Sequence, residues 1–154
     1  MSRAGIGWDS HRLEGGRPLV LGGVEIPGTG RGLVGWSDAD VLVHAVIDAL
    51  LGAAGLGDIG QHFPDDDPRW KGANSIELLT TVRGMLPGPV QNVDVTVICE
   101  APKLGPHRDA MRTRLAGALG VETGAVNVKF TTGEGMGFAG RGEGIAALAV
   151  ATLA

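Results

Sequence analysis

"SDADVLVHAVIDALLGAAG" occupies residues 37–55 and is apolar from Val41 to Leu51 except at His44 and Asp48. Ser37 or Asp38 offers an N-cap, and Gly52 and Gly55 offer stop signals, so the spacing predicts a helix. The two polar interruptions keep the run from reading as a bilayer span. Upstream, residues 3–9 read as a strand, and "LVLGGVEIP" (19–27) reads as two extended runs joined by Gly22-Gly23, a hairpin followed by a glycine-rich loop. Downstream, Pro64 and Pro68 bracket the acidic loop "FPDDDP". Asn74 or Ser75 then caps a second helix to about residue 86, with Ile76, Leu79, Val82 and Leu86 on one side. Val93, Val95 and Val97 alternate as a strand, Pro106 opens a third helix carrying Met111, Leu115 and Leu119, and Val126, Val128 and Phe130 alternate again. The tail "GIAALAVATLA" suits a helix by propensity and a buried strand by its apolar run.

These elements imply an α+β fold: a two-layer sandwich with a mostly four-stranded sheet, helices on one face, a ferredoxin-like variant. The bare face of such a sheet needs a cover, which a homo-oligomer packing sheets together provides. With 154 residues, 44% of them hydrophobic, the chain has material for one domain with a substantial core. A formal net charge of −4 argues against a nucleic-acid surface, which needs clustered Lys and Arg. Cys99 is the single cysteine, which excludes an internal disulfide and a cysteine-based zinc knuckle and fits a reducing compartment. "MSRAGIGWDSH" lacks the apolar region of a signal peptide, and no run is long enough for a membrane span, so the expectation is a cytoplasmic protein. The 27 glycines call for tight turns or close backbone approach.

Side chains two apart on a strand share a face, so Asp9 and His11 in "GIGWDSHRL" (5–13) can converge on one point. With His44 from the predicted helix they form a carboxylate and two imidazoles, a three-ligand set that leaves a tetrahedral Zn²⁺ one open position. The alternative is a turn histidine at 11 and a hydrogen-bonded, half-buried histidine at 44. Asp40 and Asp48, one turn on either side of His44, are candidates to fix its tautomer, or they dress the polar side of the helix. Gly135-x-Gly137-x-x-Gly140 formally matches a dinucleotide fingerprint, but the 14 residues beyond it cannot hold the acidic residue and second half that such a site requires. What remains is a flexible loop with Thr131, Thr132, Glu134 and Arg141, types suited to oxyanions or a second divalent cation, or an ordinary glycine-rich turn. Lys103, between prolines in "EAPKLGPH", is placed to meet phosphate or to be solvated. No Ser-His-Asp or Cys-His nucleophile is legible, so an enzyme built this way should use a nucleophile supplied by its substrate.

Together, "GWDSHRL", "LGGVEIP", "SDADVLVHAVIDALLGAAGLGDIGQHFPDDDPRWKGANS", "NVDVTVICEAPKLGPH" and "VNVKFTTGEGMGFAGRGEGIA" resemble the 2-C-methyl-D-erythritol 2,4-cyclodiphosphate synthase family of non-mevalonate isoprenoid biosynthesis. The resemblance runs almost end to end, as one domain over residues 1–154. It implies that Asp9, His11 and His44 bind Zn²⁺, that Glu134 holds a second cation, Mg²⁺ or Mn²⁺, and that the tail is a strand. It implies conversion of 4-diphosphocytidyl-2-C-methyl-D-erythritol 2-phosphate to the cyclic diphosphate and CMP, with Thr132 bonding transition-state oxygens. Residues 99–105, including Ala101, Pro102, Lys103 and Leu104, with Thr131 to Glu134, match its cytidine-diphosphate pocket. Asp58, Ile59 and Gly60 and the loop Phe63 to Asp67, including Asp65, match the methylerythritol phosphate side, and Ser37 joins the substrate contacts. It further implies a homotrimer with sites between subunits and a central cavity near Phe138, Arg141 and Trp8 that can hold an isoprenoid diphosphate.

One departure concerns catalysis: where the family pattern has His-Ser-Asp, this chain has Trp36-Ser37-Asp38, and Gly133 lies unusually inside "TTGE", where it should loosen the loop. Indole is a neutral donor that can supply neither a proton nor a charge-assisted bond. Outright loss of one transition-state donor costs roughly 10²–10³ in rate, which opens the alternative of a catalytically weakened trimer that only binds isoprenoid diphosphates. A third alternative, a metallophosphoesterase, lacks the carboxylate-rich two-metal cluster. Trp36→His is expected to raise kcat in steady-state turnover; an unchanged or lower kcat would remove the idea that this position lost a catalytic donor.

Overall fold

In the computed structural model, which describes residues 1–154, the first strand and the first helix touch backbone to backbone. Strand β1 (Arg3–Gly15) lies under helix α1 (Val41–Ala54). Gly5 and Gly7 share the helix-facing side of β1, and a Cβ on either would lie 2.0 Å from the Ala49 carbonyl oxygen or 1.9 Å from that of Ala45. Glycine is what allows the helix to sit this low. The same strand face continues to Asp9 and His11, so seating the helix also delivers His44 to them.

Helix α1 is buried on nearly all sides, which is why its sequence is apolar almost throughout. Its N-cap is Asp40, not Ser37 or Asp38. The backbone at Ala39 has φ 58, a left-handed turn that delays the helix start. The Asp40 carboxylate accepts the Val43 amide and also the amides of Gly22 and Gly23. One buried carboxylate therefore caps the helix and pins the hairpin of β2 (Leu19–Leu21) and β3 (Val24–Ile26). Burial pushes its carboxyl up to about 6, against the pull of those amides. Gly55, at φ 72, ends α1 as expected.

The main sheet has five strands rather than mostly four, in the order β4-β1-β7-β5-β6, with β4 (Arg31–Leu33), β5 (Val90–Ile98), β6 (Val126–Thr131) and β7 (Gly144–Leu153). The added edge strand β4 lies in the glycine-rich loop and pairs with Leu13 to Gly15; β1 runs past the expected residue 9 because β7 pairs with it as far as Arg12 and β4 takes over from Leu13. The tail is a strand, since β7 pairs antiparallel with both β1 and β5, leaving it no room to coil. Strands β5 and β6 are parallel and joined through helix α4 (Arg108–Leu119). β1 and β5 also run parallel with β7 between them, the split arrangement of ferredoxin-like folds. The chain order differs from that type, however, because β6 and β7 follow each other at the end.

Helix α3 (Ser75–Met85) packs on α1 and α4, with Asn74 as its cap. The short helix α2 (Ile59–His62) and a 3₁₀ turn at Pro68–Trp70 occupy what the sequence presents as loop. A single cluster of 37 buried residues joins the helices to the inner sheet face. On the outer face Ile6, Trp8, Leu148 and Val150 are exposed, at 67%, 52%, 39% and 43%. No helix is long and apolar enough to cross a membrane.

Gly7→Ala is expected to destabilise the fold by about 1–3 kcal/mol or more, because helix backbone must move away. Gly52→Ala, whose Cβ would have nothing nearer than 3.8 Å, should stabilise α1 by about 0.5–1 kcal/mol. Urea melts of the two variants check the pair.

Candidate active site

Where β1 passes beneath the first turn of α1, the Asp9 Oδ2 lies 2.9 Å from His11 Nε2 and 3.0 Å from His44 Nδ1, and the two imidazole nitrogens are 3.3 Å apart. The rings meet edge to face, with centroids 5.3 Å apart. One ligand atom from each of the three residues falls within 4.8 Å of the others, the spacing of a shared cation.

The remaining nitrogens show which atoms are free to coordinate. His11 Nδ1 donates to the Val34 carbonyl at 2.8 Å, leaving its Nε2 lone pair turned inward. His44 Nε2 lies 2.8 Å from the Ser75 hydroxyl and 3.2 Å from that of Ser37, leaving Nδ1 inward. One oxygen and two nitrogen donors, both imidazoles held from behind, fit a divalent cation such as Zn²⁺ with one position left for a ligand. Electrostatics agree. Burial opposes the Asp9 charge, but with hydrogens on their inward nitrogens His11 and His44 donate to it and outweigh burial, holding the carboxyl down at about 2; a bound cation takes the place of those hydrogens. For His11 burial lowers the pKa while bonding and attraction to Asp9 raise it, and the net is a rise.

Neither Asp40 nor Asp48 fixes the His44 tautomer. Asp40 is committed to the α1 cap and the hairpin, and Asp48 accepts the Ile59 amide at 2.8 Å, anchoring the start of α2. The residues that do reach His44 from behind are Ser75 and, beyond it, Asp38, whose carboxylate takes the Ser75 hydroxyl. Sequence reasoning missed both, because a serine or aspartate beside a helix start looks like a cap.

The three ligands open into a cavity of about 730 Å³ whose walls include Trp36, Ser37, Ile59, Gly60, Phe63 and Asp65. Asp58 and Asp67 do not line it; they serve as caps, Asp58 for α2 and Asp67 for the Pro68–Trp70 turn, where Asp67 also grips Arg69. The Trp36 indole N–H donates to the Asp67 carbonyl at 2.9 Å, and the Trp36 carbonyl accepts the Gly72 amide at 2.7 Å. Its one donor is spent on the acidic loop, so the residue serves the wall of the cavity.

A second cavity of about 330 Å³, sharing no lining residue with the first, gathers Pro102, Lys103, Leu104, Thr131 and Thr132 beside Cys99. Burial pushes the Cys99 thiol up to about 11, which suits a packing residue and not a nucleophile. The Glu100 carboxylate accepts the amides of Gly133 and Gly135 and so clamps the glycine-rich loop. Gly133 does not loosen that loop. A Cβ there would lie 2.6 Å from the Gly140 nitrogen, so the glycine lets the loop fold tightly back. Glu134 is exposed at its tip, apart from the three-ligand cluster, with φ 53 and its amide on Thr132 Oγ1. Ala101 lines a separate hollow with Arg31, and Phe138 another with Ser10 and Glu143, while Arg141 pairs with Glu143 at 2.8 Å.

A sequence model described as the YgbB family matches residues 2–154. The chain is 62% identical to a 2-C-methyl-D-erythritol 2,4-cyclodiphosphate synthase of Symbiobacterium thermophilum over 154 residues, 97% of each chain. It is 59% identical to a bifunctional enzyme IspD/IspF of Anaeromyxobacter, of whose length it spans 39%. Among solved structures it superposes on the bifunctional IspDF of Campylobacter jejuni with a TM-score of 0.93 at 43% identity, over 99% of this chain and 42% of that one. It superposes on a CDP-bound 2C-methyl-D-erythritol-2,4-cyclodiphosphate synthase with a TM-score of 0.88 at 39% identity, over 97% and 98% of the two chains. With residues 2–154 matched and a 62% identical relative spanned almost end to end, the chain belongs to the YgbB family, the 2-C-methyl-D-erythritol 2,4-cyclodiphosphate synthases.

Proposed function

We propose that this chain cyclises 4-diphosphocytidyl-2-C-methyl-D-erythritol 2-phosphate, releasing CMP. The observation that carries this is the Asp9-His11-His44 cluster opening into a cavity with room for a phosphorylated polyol. The substrate's 2-phosphate attacks its own β-phosphorus; that P–O bond forms as the bond to the CMP oxygen breaks, with inline geometry and no protein nucleophile. The protein's task is to bend the substrate and surround the transferring phosphoryl with donors. Ser37 and the Ile59–Gly60 turn receive the methylerythritol phosphate end, and Phe63 and the rim with Asp58, Asp65 and Asp67 close over it. Lys103, with the chain from Ala101 to Leu104, Thr131 and Thr132, receives the cytidine diphosphate end. Asp9, His11 and His44 would hold a Zn²⁺, and Glu134 a Mg²⁺ or Mn²⁺ on the diphosphate. The cations supply positive charge to the phosphoryl oxygens.

The two receiving cavities share no residue, and the outer sheet face presents Ile6, Trp8, Leu148 and Val150 to solvent. Both features support a homotrimer packed through that face, in which each complete site joins the metal half of one subunit to the Lys103 half of the next. Phe138 and Arg141 would then line a central cavity that takes an isoprenoid diphosphate. The single domain over residues 1–154 works in the cytoplasm. Trp36 as a crippling change finds no support: the relatives described above are named as synthases or as enzymes containing one.

Purified protein with Mg²⁺ and the diphosphocytidyl substrate should yield CMP and the cyclic diphosphate in phosphorus NMR; stripping metal with a chelator should abolish both, and open-chain phosphates as the only products would sink the assignment. His44→Ala and Lys103→Ala should each be inactive alone. Mixed after subunit exchange, they should recover up to about a quarter of wild-type activity, the fraction of interfaces that pair two intact halves. No recovery in exchanged trimers would place each site within one chain.

A further inference from the structure

We propose that Ser75 and Asp38 form a hydroxyl–carboxylate relay behind His44 that fixes this ligand's tautomer and sets the strength of the metal site. The inference rests on the assignment of Asp9, His11 and His44 as a cation site.

Both residues sit where helices begin, and neither is used as a cap. Asn74 caps α3 by accepting the Ile76 amide at 2.9 Å, and Asp40 caps α1. The Ser75 and Asp38 side chains are thereby released for each other. Ser75 is fully buried, its hydroxyl in contact with the Asp38 carboxylate on one side and 2.8 Å from His44 Nε2 on the other. The Asp38 carboxylate is itself held by the Ser75 amide at 3.0 Å and the Asp40 amide at 3.1 Å.

The direction of every proton in the chain follows from the carboxylate. A carboxylate only accepts, so the Ser75 O–H donates to Asp38 and its oxygen lone pair faces His44. His44 Nε2 must then carry the hydrogen, and Nδ1 is left bare toward Asp9 and His11. Ser37, at 3.2 Å from Nε2, is the weaker partner, and its hydroxyl is engaged by the Ala39 amide. His11 differs, because its rear nitrogen meets only the neutral Val34 carbonyl. Negative charge passed through Ser75 makes His44 the more strongly donating of the two imidazoles. The relay also ties the turn before α1 to the first residue of α3, so the ligand's orientation is set by two helices.

The test uses the intact protein. Zinc affinity is measured by competition with a chromogenic chelator for wild type, Ser75→Ala and Asp38→Asn, alongside the melting temperature of each metal-free protein. Ser75→Ala removes the hydroxyl without adding bulk, and Asp38→Asn keeps the size while removing the charge. Both are expected to weaken zinc binding by about 10–100-fold, with metal-free melting within a few degrees of wild type. In the zinc-loaded wild type, long-range ¹H–¹⁵N spectra should show His44 protonated at Nε2 and coordinated through Nδ1. Affinity within twofold of wild type in a folded variant, or coordination through Nε2, overturns the relay while leaving the cation site standing. A wild type that binds no zinc overturns the cation site and the relay together. Should Ser75→Ala fail to fold, Asp38→Asn decides alone.

Discussion

Everything at the site depends on how low α1 sits on β1. Two glycines on the strand let helix carbonyls approach to where side chains normally stand, and the same strand face then presents Asp9 and His11 one and two repeats further on. A strand gives up packing area at Gly5 and Gly7 and propensity at Asp9 and His11. What it gains is a rigid three-point cluster whose members come from two elements locked by backbone contact. Such preorganisation suits a reaction in which the substrate carries its own nucleophile and the protein supplies placement and charge.

Carboxylates divide the structural work around this cluster in a consistent way. Asp40 joins a helix cap to a hairpin, Asp48 joins α1 to α2, Asp38 joins the turn before α1 to α3, and Glu100 folds the glycine-rich loop through two amides. In each case a buried or half-buried acid accepts backbone amides that would otherwise lack partners. The acidic balance of the chain is therefore not only a matter of solubility. Much of it holds the loops that frame the two cavities.

Sequence patterns made the regular elements legible. Alternation at Val93, Val95 and Val97, the capped apolar run of α1 and the Gly22-Gly23 turn all correspond to observed elements, as does the Asp9-His11-His44 convergence. What escaped was tertiary in origin. Strand β4 has three residues and exists only because β1 extends to meet it. The α1 cap shifted to Asp40 because a left-handed residue at 39 and two distant amides favour it. The ambiguity of the tail could not be resolved locally, since its two flanking strands lie far away in the chain. Ser75 and Asp38 were hidden by their resemblance to caps, and Gly133 by the assumption that glycine confers looseness where here it permits contact.

Trp36 and Trp70 wall the same cavity, and Trp8 lies on the outer sheet face. The chain has these three tryptophans and no tyrosine. Its ultraviolet emission consequently originates at the cavity beside Asp9, His11 and His44 and at the bare sheet, with Lys71 poised over the Trp36 ring as a nearby charge. The molecule thus carries built-in optical probes of its own, two in the wall beside the three-ligand cluster and one on the exposed outer face of the sheet.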